Sequence, residues 1–212
     1  MQHYYKYKSL SDNSFKYFVK TLIESKMHAS TFKELNDPME GAFLTNVDNQ
    51  TIDAIRKGKE GLRIISMIEK KEDKPCNMLM WSHYTDEHRG CCIEFHFSDE
   101  KELEKVHKVE YVKKIEISNI IFEEEVLSRK FIDWKYEQEV RHLGQEESVP
   151  IVIDKIYLGM RIDNMYNEND NTYESFYTDL IKRICPNVEV VKMQAEDFDE
   201  HHLDTLKKCN IV

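Results

Sequence analysis

The chain has 212 residues and a net charge of −10, a length that suits one substantial domain. With 41% apolar residues, 11 Tyr and 10 Phe it can bury a core, and with only 6 Gly and 4 Pro it is neither collagen-like nor a flexible linker. The acidic balance removes the simplest argument for nucleic-acid binding, which leans on clustered Lys and Arg.

Residues 3–8 interleave aromatics with His and Lys and read as a short strand. Ser11, Asp12 or Asn13 then caps a helix whose stripe is Phe15, Phe18, Val19, Leu22, Ile23 and Met27. Residues 27–32 read as a return strand, and Leu35-Asn36-Asp37-Pro38-Met39-Glu40-Gly41 is turn chemistry. A short helix over 51–60, a buried strand over 62–68 and a charged loop over 69–74 follow. Asn77 caps a helix holding Met78, Met80, Trp81 and Tyr84, and Gly90 leads into a strand over 91–97. Ser98 and Asp99 cap a helix to about 107, and 109–112 is a strand. Residues 117–133 look helical, and 136–143 and 151–158 look like strands. A helix over 168–184 and a strand over 187–193 complete the reading. Helices and strands mix without regular alternation. The expectation is therefore an α+β fold: a single domain, residues 1–212, with a twisted, mainly antiparallel sheet and flanking helices.

Five cysteines, Cys76, Cys91, Cys92, Cys185 and Cys209, form no C-x-x-C pair and are odd in number. Reduced thiols in a cytoplasm fit best. The first eight residues contain no apolar signal core, and no run approaches the ~18 apolar residues of a membrane span. A cytoplasmic protein without membrane contact is expected.

No phosphate loop, H-E-x-x-H or G-x-S-x-G motif occurs. His83, His88, Cys91 and Cys92 suggest a metal, but adjacent strand cysteines point to opposite faces, so no metal site is expected. The run Trp134-Lys135-Tyr136-Glu137-Gln138-Glu139-Val140-Arg141 is more informative. As a strand it places Glu137, Glu139 and Arg141 on one face, each about 7 Å from the next. Such a trio is costly to bury unless it pairs or binds something. A ligand site and a salt-bridged sheet face are the two readings. Trp81, Tyr84 and Trp134 are core aromatics or the walls of a ring-stacking pocket.

Several ordered motifs add to this. They are Tyr5-Lys6-Tyr7-Lys8, Leu35 to Glu40, Met80-Trp81-Ser82-His83-Tyr84, His88 to Phe95, Trp134 to Arg141 and Ile156-Tyr157-Leu158-Gly159. Together, over roughly residues 3–160, the chain resembles the bacterial domain-of-unknown-function family 2971. The helix and strand over 163–195 would pack on that core. A more distant likeness is to the ADP-ribosyltransferase superfamily, whose three motifs are a strand with His or Arg, an aromatic and hydroxyl cluster, and a strand with Glu-x-Glu. Lys6 beside Tyr7 takes the first position, with Lys where those enzymes carry His or Arg. Trp81, Ser82 and Tyr84 take the second, and Glu137-Gln138-Glu139 the third.

The resemblance implies an NAD-using transferase or NAD glycohydrolase of the kind found among bacterial toxins and phage-defence effectors. Glu139 would stabilise the oxocarbenium-like ribose and Glu137 would orient or deprotonate an acceptor, either protein or nucleic acid. Trp81 or Tyr84 would stack on nicotinamide. Lys6 or Arg141 would meet the pyrophosphate or adenosine ribose. The alternatives are a metal-dependent nuclease in which Glu137, Glu139 and an Asp such as Asp133 hold Mg²⁺, and a non-catalytic ligand-sensing module.

Overall fold

The computed structural model describes residues 1–117, 122–164 and 172–198. In chain order the elements begin with β1 (Tyr4–Lys8), α1 (Asp12–Glu24), β2 (Lys26–His28), β3 (Leu44–Thr45), α2 (Asn49–Gly61) and β4 (Arg63–Glu69). There follow α3 (Met78–Tyr84), β5 (Cys91–Phe97), β6 (Val106–Lys108), β7 (Glu110–Val112), β8 (Glu116–Ile117) and α4 (Glu123–Leu127). The last are β9 (Arg129–Phe131), β10 (Glu139–Gly144), β11 (Ser148–Leu158), α5 (Tyr173–Ile184) and β12 (Glu189–Lys192). Helices mix with a mainly antiparallel sheet, and the class is α+β as the sequence implied. Among the described residues no helix is long and apolar enough to cross a membrane.

The backbone groups into two compact units, each discontinuous in sequence. The first comprises Met1–Lys26, Glu69–His96 and Ile151–Val212. Its strands run in the order β12-β11-β5-β1. β1 and β5 are antiparallel with Tyr4 opposite Phe95 and Lys8 opposite Cys91, while β11 and β12 are parallel. Helix α1 starts after Ser11, the first of the three expected caps, although the Ser11 side chain makes no capping hydrogen bond, and ends at Ser25 in the left-handed region. Phe18 and Leu22 from its stripe are buried, whereas Ile23 is exposed. Burying each of the former contributes about 1.5–3 kcal/mol. The thiols of Cys91 and Cys92 lie in the core, and burial pushes Cys91 up to about 12. Cys209, His201 and His202 lie outside the described residues.

The second unit comprises Met27–Ile68 and Phe97–Pro150. β10 pairs antiparallel with β4 on one side and β6 on the other. Leu62, Ile64, Leu127 and Leu143 form one of its apolar clusters, and Ile55 and Val126 a smaller one. Asp48 caps α2 by accepting from the Thr51 N–H at 3.0 Å. That helix runs through Gly58 and ends at Gly61, one of the two glycines near which the sequence places its end.

Two expectations need correction here. The helix expected over 117–133 is only the short α4, followed by β9; residues 118–121 lie outside the described ones. Ser128 ends α4 by donating its hydroxyl to the Glu124 carbonyl, and β9 is drawn into a parallel ladder with β7. The helix expected to reach 107 is a 3-10 turn over Glu100–Lys105. It gives way to β6 because that segment pairs with Val140 to His142. In both places sheet pairing overrides a local helical pattern.

Candidate functional site

The strand expected from 136 begins three residues later. Ile132–Glu137 winds as a 3-10 helix, and Gln138 turns the chain in a left-handed conformation at φ 48°. Its N–H closes the turn on the Lys135 carbonyl. β10 starts at Glu139, whose N–H donates to the Tyr111 hydroxyl at 2.8 Å. Glu137 therefore lies outside the strand, and the simple alternation argument does not place it.

Glu137, Glu139 and Arg141 converge nonetheless, through two partners the sequence reading did not single out. Lys130 on β9 donates to Glu137 at 2.5 Å and to Glu139 at 3.3 Å. Glu40 accepts from both terminal nitrogens of Arg141, at 2.5 and 2.9 Å. Arg141 also reaches Glu139 through Nε at 2.8 Å and Nη2 at 3.1 Å, and the Leu127 carbonyl through Nη1 at 2.6 Å. All five guanidinium donors are thereby used. The Ser66 hydroxyl adds a short hydrogen bond to Glu139. Glu40 is projected by the turn that Asp37 stabilises, its carboxylate accepting from the Met39 N–H at 2.9 Å.

The network is closed. Arg141 is 0%, Glu137 2%, Glu139 and Lys130 4%, and Glu40 7% exposed. Three carboxylates face two cations in a medium where an unpaired charge costs several kcal/mol. Burial pushes the Glu139 carboxyl up, but the guanidinium of Arg141, then Lys130 and Ser66, bring it down to about 2. Arg141 is held above its ordinary range by Glu139 and Glu40, against its own desolvation. Lys130 occupies the space between Glu137 and Glu139 in which the nuclease reading needs a divalent ion. The half-buried ring of Trp134 lies under the Lys130 ammonium, 4.8 Å from its centroid.

The other expected site residues, Lys6, Tyr7, Trp81, Ser82 and Tyr84, belong to the first unit. Trp81 is wholly buried. Its indole N–H donates to the Pro75 carbonyl at 2.5 Å, and its ring stacks on His88, 6.0 Å between centroids. Tyr7 packs edge-on to it and donates its hydroxyl to the same carbonyl at 3.2 Å. The Ser82 hydroxyl donates back to Met78 within α3, at 2.9 Å. These groups are consumed in building the fold. Lys6 and Tyr84 remain half-exposed.

His88 is the group sequence reasoning passed over as a metal candidate only. Burial, and secondarily Arg161, lower it to about 4. Its Nδ1 has no hydrogen-bond partner. Because the unfolded chain takes up this proton near pH 6.5 and the folded one only near 4, stability is full above 6.5 and declines as pH falls toward 4. Glu139 adds a second decline between its ordinary value of 4.5 and about 2. Urea midpoints measured from pH 7.5 down to 3 should show both phases, and His88→Phe should flatten the upper one.

Among the described residues, the metal-ligating side chains that converge are His3, His96 and Asp154; His83, His88, Cys91 and Cys92 do not form such a group. Residues 80–142 match the model of a family described as Protein of unknown function (DUF2971). The matched stretch includes Trp81, His88, Lys130, Glu139 and Arg141 and stops short of Glu40 and His3. Comparison with characterised proteins gives no match, nor does comparison with solved structures.

Proposed function

We propose that the protein is an NAD-using enzyme of the ADP-ribosyltransferase kind, a transferase or NAD glycohydrolase, in which Glu139 serves as a fixed anion. The observation that supports the reading is the state of that carboxylate, held at about 2 by Arg141, Lys130 and Ser66 and so ionised at any physiological pH. Cleaving the nicotinamide–ribose bond sends its electron pair to nicotinamide and leaves a cationic ribose. A preorganised carboxylate stabilises that cation without reorganising. A group so acidic is a poor proton acceptor, so Glu139 takes no general-base role here. Glu137, paired with Lys130 at 2.5 Å, takes none either. A toxin or phage-defence effector that depletes NAD is the biological setting this reading suits.

A second reading, a non-catalytic ligand-sensing module, is favoured by burial. Both Glu139 oxygens are already satisfied by Arg141, Lys130 and Ser66, which suits an architectural node as well as a reactive one. Thermal unfolding with millimolar NAD, alongside assay of released nicotinamide, separates the two. At a ligand concentration 100 times its dissociation constant the first reading expects about 2.7 kcal/mol of stabilisation. It also expects nicotinamide release that Glu139→Gln abolishes while the variant remains folded. NAD binding without turnover favours the second reading. No shift and no release in the wild-type protein would overturn the NAD reading.

A further inference from the structure

A different set of side chains, in the first unit, makes a site of another kind. β1 and β5 pair with Tyr4 opposite Phe95, so one step outward along that register His3 comes opposite His96. β11, on the other side of β5, carries Asp154. The residue before β1 and two neighbouring strands thereby set two imidazoles and a carboxylate side by side. His3 Nδ1 lies 3.0 Å and His96 Nδ1 2.9 Å from the same oxygen, Asp154 Oδ2. The two rings are 5.1 Å apart and tilted by 54°. One ligand atom from each of the three residues lies within 4.8 Å of the others.

A divalent ion bound at about 2.0–2.2 Å holds neighbouring ligand atoms about 3 Å apart. The two nitrogen–oxygen separations already meet that requirement, and the three ligand atoms lie within 4.8 Å of one another, so rotation of the rings has to close what remains. The side chains of His3, Asp154 and His96 are 32%, 24% and 12% exposed. An ion there keeps positions open to water or a substrate oxygen, as mononuclear sites with three protein ligands do. Imidazole nitrogen selects zinc-like first-row ions over Mg²⁺ and Ca²⁺, which take oxygen ligands.

Glu94 completes the arrangement. Two residues before His96 on β5, it projects to the same face, with Oε1 3.9 Å from His3 Nδ1. Lys70 and Tyr157 donate to its two oxygens at 2.5 and 3.0 Å. That distance suits an outer partner that accepts a hydrogen bond from an ion-bound water. We propose that His3, His96 and Asp154 bind one zinc-class divalent ion with open coordination positions, and that Glu94 supports it from outside. The proposal stands apart from the NAD reading, since none of these residues belongs to the Glu139 network.

The test uses the full chain without a polyhistidine tag, stripped with a chelator and titrated calorimetrically with Zn²⁺, Co²⁺ and Mg²⁺. Co²⁺ binding is also followed by visible absorption. One equivalent of Zn²⁺ or Co²⁺ with a raised melting temperature, and no heat from Mg²⁺, is expected. Asp154→Asn and His3→Gln should each weaken binding by about 100-fold or more, because even outer partners contribute about 10–100-fold. Glu94→Gln should weaken it by about tenfold. His3 precedes the first strand, so His3→Gln keeps the test available if Asp154→Asn disturbs folding. A wild-type chain that takes up no stoichiometric ion overturns the proposal. So does undiminished affinity in either folded variant, which would place the ion elsewhere.

Discussion

Arg141→Met is expected to remove about 3–5 kcal/mol of folding stability, among the largest losses any single side chain here can cause. The guanidinium is wholly buried and is the partner of both Glu40 oxygens. Without it the buried carboxylates of Glu40 and Glu139 lose their guanidinium, and among the described residues of the network the remaining cation is Lys130, which bonds Glu137 and Glu139. Methionine fills much of the volume but donates nothing, and the Leu127 carbonyl loses its donor as well. Arg141→Lys should recover little of the loss. A single ammonium cannot bridge two carboxylates and a carbonyl with the geometry of a planar fork. Urea denaturation gives the size of the effect. Its origin is isolated by repeating Arg141→Met in a Glu40→Gln, Glu139→Gln background, where the added cost should shrink by several kcal/mol, because the stranded charges are gone. An equal cost in both backgrounds would show that packing, not charge, dominates at this position.

Gly159→Ala is the second large effect, expected at about 3 kcal/mol or more, the upper end of overpacking losses. A methyl group there would stand 2.0 Å from the His88 carbonyl oxygen and 2.6 Å from its carbon. Backbone, not a flexible side chain, would have to give way. That backbone is tied down: the Gly159 N–H donates to Gly90 at 2.9 Å and the Arg161 N–H to His88 at 3.0 Å. It also follows three successive left-handed residues, Asp86, Glu87 and His88, at φ 50°, 57° and 69°. That conformation costs roughly 1–2 kcal/mol per residue before any further distortion. Gly61→Ala is the control. Nothing lies within 4 Å of its added methyl, and alanine near the end of α2 should be neutral or stabilise by up to about 1 kcal/mol. Melting temperatures of the two variants should move apart. Equal behaviour would mean that the 88–90 turn is far softer than its hydrogen bonds imply.

Gly90 and Gly159 are visible in the sequence as members of the ordered motifs, but the reason for them is not. It is a close approach of two backbones far apart in the chain, and no local pattern encodes that. The same holds for the charge network. The trio Glu137, Glu139 and Arg141 was legible as a costly set of charges needing partners. Lys130 and Glu40 were not legible as those partners, because their selection depends on β9 joining β7 and on the Asp37 turn. A clue did exist for Glu40, since the turn that carries it was among the ordered motifs. Elements with a strong internal signal were read correctly, notably α1 from its stripe, α3 from the Asn77 cap and β5 from its run of buried residues. The reading failed where a short segment had to choose between local helix and distant strand pairing, at 106–108 and 129–131. It also missed the pairing of His3 with His96, because cross-strand register cannot be counted along a single strand.

The division of the first unit among three chain segments has a consequence for biosynthesis. Residues 1–26 leave the ribosome before their partners in the unit, which come from 69–96 and from beyond 150. Phe15 waits for Tyr177, and the register of β1 waits for β5. A nascent chain that has been made only as far as residue 150 would therefore lack the ring that Phe15 of α1 packs against. Such long-range closure slows folding and lengthens exposure to aggregation. Yield in cells should depend on chaperone capacity and growth temperature more steeply than for a protein of equal stability built from contiguous segments.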